Sequence, residues 1–162
     1  MIRFLGKLSA ALDSLFRLAL FATLVAMIAV ITAQVIFRIF FTALSWSEEL
    51  SRYLLVWSSF IGGAVAYKKG AHIAVSFVID SLPVPARKIV QTISCLLVAL
   101  FLAVTIWYAG QVYAMQVFQV SPAMGLKMRY VYLIIPISFA VMGVHLLYQL
   151  ALIWSSTDPR EN

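Results

Sequence analysis

Residues 18–37 read LALFATLVAMIAVITAQVIF, and this stretch decides the fold class. Only Thr23, Thr32 and Gln34 interrupt its apolar run. At 1.5 Å per residue a helix of that length covers roughly 30 Å, the thickness of a bilayer's hydrocarbon core. Arg3, Lys7 and Arg17 precede it, as basic residues precede a secretory signal. A cleaved signal core is shorter, about 7–15 residues, so the stretch is expected to be retained as a span.

Outward from it the chain carries three more apolar stretches, at residues 50–67, 89–112 and 130–154. The second is the shortest, and its helix is expected to start near Ser47. The reading is an all-α, polytopic membrane protein, with four transmembrane helices in a single membrane domain covering residues 1–162. Residues 2–17 add a shorter element. Leu5, Leu8, Leu12 and Leu15 fall on one helical face, and Arg3, Lys7, Ser14 and Arg17 on another. That pattern suits an N-terminal amphipathic interfacial helix on the inner leaflet, and equally a plain extension of the first span. Pro83 and Pro85 mark the start of the third helix, where a missing N–H is harmless. Pro136, in the first turns of the fourth, should free a carbonyl and bend the helix.

Composition agrees with lipid as part of the solvent. Of the 162 residues, 64% are hydrophobic and 11% charged, about half the usual charge density of a soluble domain. The net charge of +6 does not point to nucleic acid, because the basic residues form no stripe. They sit at the ends of apolar segments instead. Eight lie on the side of the N-terminus, second loop and Arg160, against four around Arg38, Arg52, Lys127 and Arg129, which places both termini in the cytoplasm. Cys95, alone of its kind, excludes an internal disulfide and reads as a small packing residue.

Most polar and small residues in the spans have packing explanations. Ser58, Gly62 and Ala66, and likewise Ala22, Ala26, Ala29 and Ala33, form small-residue stripes that let helices approach closely. The first loop is less ordinary. Gln34 and Arg38 end the first span, and Trp46, Glu48, Glu49, Arg52 and Trp57 open the second. A charge as embedded as Arg38 is costly unless it snorkels or pairs. Two readings stand. In one, Ser45 and Glu48 form a capping box, Arg38 ties the first two helices together, and the tryptophans are anchors. In the other, the charges form a docking patch for a further chain.

Catalytic and cofactor chemistry finds no support. His72 and His145 lie at different depths, which disfavours a bis-histidine haem, and His145 with Gln149 reads as an interhelical hydrogen-bonding pair. Asp80 stands alone in its loop. No metal-ligand spacing, phosphate loop or nucleophile–base pair occurs, so neither enzyme activity nor a metal or other cofactor is expected. Four uninterrupted helices without an acid near the bilayer centre do not form a transport site by themselves. An accessory role is favoured, with a free-standing small channel or proton-coupled subunit as the alternative.

The motifs carry a resemblance across nearly the whole length. Gln34-Val35-x-x-Arg38, then Trp46-Ser47-Glu48-Glu49-x-x-Arg52 and Trp57, Gly70-Ala71-His72-Ile73, and Ser121-Pro122-Ala123-Met124-Gly125 leading to Tyr132 and Pro136 occur in that order. In these the chain resembles the small permease subunit of tripartite ATP-independent periplasmic (TRAP) transporters, the DctQ-like family. It departs from the pattern at Lys127 and Arg129, where a proline and often a tryptophan are expected. The resemblance implies a bacterial inner-membrane scaffold that braces a large, sodium-driven transport subunit for organic acids. It also implies an extracytoplasmic substrate-binding protein as a partner, docked in part on the small subunit.

Overall fold

A computed structural model of the chain describes residues 2–42, 44–70 and 84–155. His72, Asp80, Pro83, Arg160 and most of the Gly70–Ile73 motif lie outside them. Apart from residues 41, 42 and 44 and the connection at 116–127 the described residues are almost entirely helical, and none forms a strand. The order is α1 (Ile2–Phe40), α2 (Ser45–Gly70), α3 (Val84–Met115), the short α4 (Met128–Tyr132) and α5 (Ile134–Trp154). Three helical segments are long and apolar enough to cross a membrane: Ile2–Phe40, Ala86–Met115 and Met128–Trp154. The second stretch is a helix too, but Arg52, paired serines and glycines and two closing lysines dilute its apolar character.

Residues 2–17 form no separate element. α1 runs unbroken for 39 residues, about 58 Å at the helical rise. No proline or glycine falls between Leu8 and Phe40 to stop it. Its first turns are not free on a surface either, because Ser9, Asp13 and Phe16 are buried against the rest of the protein.

α5 is the hub of the bundle. α1 packs on α2 and α5, α2 on α1 and α5, and α3 chiefly on α5 and α4. One core cluster joins Phe16, Ile61, Ala64, Val65, Ile134 and Val141. A second joins Cys95, Leu102 and Leu146. The small-residue stripes contribute only in part. Gly62 lies opposite Leu20 of α1, where an added Cβ would sit 3.6 Å from that side chain. Ala66, Ala22 and Ala29, however, are exposed. Ala26 and Ala33 are half-buried beside Thr23, Val30 and Gln34, so half of the α1 stripe faces the contact.

Pro136 lies close to a break in the last helix. The last helix is interrupted at Leu133, three residues before the proline, and the Leu133 N–H bonds back to Arg129 O at 3.1 Å. Pro136 has no N–H to offer the Tyr132 carbonyl. Elsewhere the bundle leaves broad apolar flanks uncovered. Leu18, Phe21 and Ile28 on α1 and Leu97, Leu100 and Trp107 on α3 are each more than 60% exposed. Flanks of that size are not tolerated in water.

Candidate functional site

Polar side chains gather at the two ends of the bundle. At the α2 N-terminal end the centre is Glu49, whose second-turn position aims it at the connection between α3 and α4. Ser121 Oγ donates to Glu49 Oε2. The Ala123 N–H reaches Oε1 and the Met124 N–H reaches Oε2, both at 3.1 Å. The turn also holds itself. Gly125 N–H bonds Ser121 O at 3.0 Å, and Ser121 N–H bonds Leu126 O at 2.8 Å. Gly125 has φ +65°, a backbone conformation that glycine alone adopts without strain. The Ser121 bond, helped by the two amides and the charge of Arg52, holds the Glu49 carboxyl below its ordinary value near 4.5, against the opposing effect of partial burial.

The two loop motifs read from the sequence are thus a single joint. α2 is fastened further along: Trp57 Nε1 donates to Val131 O at 3.2 Å, and the Tyr53 hydroxyl lies 3.4 Å from Met128 Sδ. Around it, Pro122 is exposed at the loop's edge, while Tyr132 and Pro136 are half-buried.

Arg38 does not tie the first two helices together. It is exposed and has no ion pair or hydrogen bond among the described residues. One turn from the end of α1, it points away with Ile39, Phe40 and Phe41. At this end the polar contact between α1 and α2 is instead Gln34 Nε2 donating to Glu48 Oε1, at a long 3.5 Å. Glu48 turns toward Gln34, and it makes no salt bridge to Arg52 despite their i,i+4 spacing. Trp46 sits at the rim, 41% exposed. Of the two departures from the motif pattern, Lys127 is exposed, whereas Arg129 is engaged. Its Nη2 donates to the Tyr113 hydroxyl at 3.0 Å, and its guanidinium lies 5.4 and 5.5 Å from the Tyr113 and Tyr130 rings.

The opposite end holds a cluster that the sequence reading missed. Asp13, 5% exposed, receives Arg17 Nη2 at 2.6 Å and Lys68 Nζ at 3.3 Å. Lys68 also donates to the Ser9 carbonyl at 3.0 Å. Ser9 Oγ meets His145 Nδ1 at 2.8 Å, with both residues buried. His145 therefore bonds across helices, with Ser9 of α1 rather than Gln149 as its partner. A signal was available: Ser9, Asp13 and Phe16 fall on one helical face, distinct from the leucine and basic faces.

Between these ends no Asp, Glu, Lys or Arg occurs on any described helix. Several hydroxyls there are bonded to their own helices, as Thr23 to Ala19 O, Ser58 to Leu55 O and Thr105 to Phe101 O, whereas Ser138 Oγ is buried without a hydrogen-bond partner among the described residues. The arrangement can hold helices in register and present two polar ends. Among the described residues no group of His, Cys, Asp and Glu could hold a metal ion.

Comparison with known proteins matches residues 27–156 to the family described as tripartite ATP-independent periplasmic transporters, DctQ component. The chain is 33% identical over 156 residues to the isethionate TRAP transporter permease protein DctMQ of Oleidesulfovibrio alaskensis, covering 91% of this chain and 24% of that protein. It is 26% identical over 142 residues to the sialic acid TRAP transporter permease protein SiaT of Haemophilus influenzae, covering 87% and 22%. To the ectoine TRAP transporter small permease protein TeaB of Halomonas elongata it is 26% identical over 109 residues, covering 65% and 56%. The chain thus spans about a quarter of the first two relatives and just over half of the third.

Proposed function

The chain belongs to the DctQ component family of the tripartite ATP-independent periplasmic transporters, and from that membership we propose that it is the small permease subunit that braces a large transport subunit in the bacterial inner membrane. One observation carries the reading. Among the described helices charged side chains are confined to the two ends, while α1 and α3 leave long apolar flanks uncovered. A scaffold needs such flanks, for lipid and for a second membrane chain, and it needs no polar path through its middle. A channel would need that path.

In this reading α2 completes four spans. Its dilute apolar character is tolerable because α1 and α5 shield it and its serines bond their own backbone. The distribution of lysine and arginine puts residues 2 and 155 on the cytoplasmic side. The first turns of α1 lie at the inner interface, with Phe4, Leu8 and Leu15 outward. Transport by the complex is driven by a sodium gradient and moves an organic acid delivered by an extracytoplasmic binding protein. The relatives named for isethionate, sialic acid and ectoine show how widely cargo varies in such systems.

The test is affinity purification of the tagged chain from its host in mild detergent, with mass spectrometry of what copurifies. A large polytopic partner at near-equal stoichiometry is expected. A chain that purifies alone, monodisperse and stable, would sink the reading.

A further inference from the structure

At the α2 C-terminal end a small cleft of about 30 Å³ opens between α1, α2 and α5. Ser9, Tyr67, Lys68, His145, Tyr148 and Gln149 line it. Each of the six can donate a hydrogen bond, and no carboxylate is among the lining groups. Ser9 and His145 at the back engage each other. The hydroxyls of Tyr67 and Tyr148 have no hydrogen-bond partner among the described residues.

Charge points the same way. Lys68 and Arg17 share the one carboxylate of Asp13, which leaves a positive charge uncompensated within the cluster among the described residues. The Lys68 side chain is only 25% exposed. Its charge is met by Asp13, at 3.3 Å, through the same carboxylate oxygen that Arg17 contacts. Lys68 spends two of its three donors on Ser9 O and Asp13, so one remains.

We propose that this cleft binds a phosphate oxyanion, with Lys68 as the charged ligand and the Tyr67, Tyr148 and Gln149 side chains as hydrogen-bond donors. An inner-leaflet lipid headgroup is the source the surroundings favour. Arg3, Lys7 and Lys69 are exposed at the same end, where they draw anionic headgroups. Leu152 borders the cleft, and Phe4 and Trp154 are each 70% exposed, giving acyl chains an apolar surface to follow.

The inference uses the membrane orientation given above but not the transport role. Binding is measured on the purified full chain, so its failure and the absence of a large partner are separate results. Native mass spectrometry in detergent compares retention of phosphatidylglycerol with that of a diacylglycerol bearing the same acyl chains. A second arm follows the thermal stability of delipidated chain as inorganic phosphate is added. Preferential retention of phosphatidylglycerol is expected, weakened about ten-fold in Tyr148→Phe by loss of one hydrogen bond to a charged group. Lys68→Gln should weaken it further. Because Lys68→Gln also disturbs the Asp13 contacts, Tyr148→Phe is the deciding variant. Stabilisation by inorganic phosphate without lipid preference, abolished in Tyr148→Phe, supports the site with free phosphate as its source. Equal retention of both lipids with no effect of phosphate, or undiminished binding in Tyr148→Phe, overturns it.

Discussion

The Glu49 carboxylate accepts the Ser121 hydroxyl across 72 residues of sequence, fastening the start of α2 to the connection that leads into α4. The same carboxylate takes the Ala123 and Met124 amides, so one side chain fixes a whole turn. Ser121→Ala should cost about 1 kcal/mol, the net worth of one hydrogen bond, in reversible unfolding of the purified chain. Glu49→Ala should do more, leaving two amides without their acceptor, and should lower both complex yield and uptake. Full yield and unchanged uptake in Glu49→Ala would remove the joint from the assembly argument.

The same contact has a defined pH dependence. The folded Glu49 carboxyl sits below its ordinary value near 4.5, so its contribution to stability is fully present above that value. It is lost as pH falls through the lower, folded value. In nuclear magnetic resonance titrations the Ala123 and Met124 amide signals should therefore move with a midpoint below 4.5, and Glu49→Gln should abolish the movement. A midpoint above 4.5 would contradict the geometry.

At the other end, Asp13 and Arg17 should differ sharply when replaced. Asp13 is buried, and its loss strands the half-buried Lys68, so Asp13→Ala should destabilise by about 3 kcal/mol. Arg17 is 54% exposed and solvent-screened, so Arg17→Ala should cost less than about 1 kcal/mol. Equal losses in unfolding measurements would show that the pair is not ranked by burial.

Arg38 carries the opposite expectation. Having no partner among the described residues, it should leave the isolated chain's stability within about 0.5 kcal/mol when replaced by alanine. If its partner is in the large subunit, copurification of that subunit should fall in Arg38→Ala. Undiminished copurification would take Arg38 out of the interface.

The helices were legible in the sequence because long apolar runs dictate them directly, and Pro136 marked the neighbourhood of the Leu133 interruption. The joint was half legible. Glu49 and Ser121 both stood out, but nothing local says that residues 72 apart meet. Arg38 read as a tie between the first two helices on charge alone, yet it is exposed near the end of α1 and Gln34 makes the contact to Glu48. The Asp13 cluster escaped because residues 2–17 were sorted into leucine and basic faces. The third face became visible only when α2 and α5 covered it.

The position of α5 at the hub sets an order on how the chain can be built. α1 and α2 share their largest contact with each other and can pair as soon as both are in the membrane. α3 finds its main surface on α5, a helix synthesised after it. During biosynthesis α3 must wait in lipid without its neighbour, and the second core cluster, Cys95 with Leu102 and Leu146, closes only when the last helix arrives. A released chain ending before residue 134 would therefore keep the contact between α1 and α2 but leave α3 without its main partner.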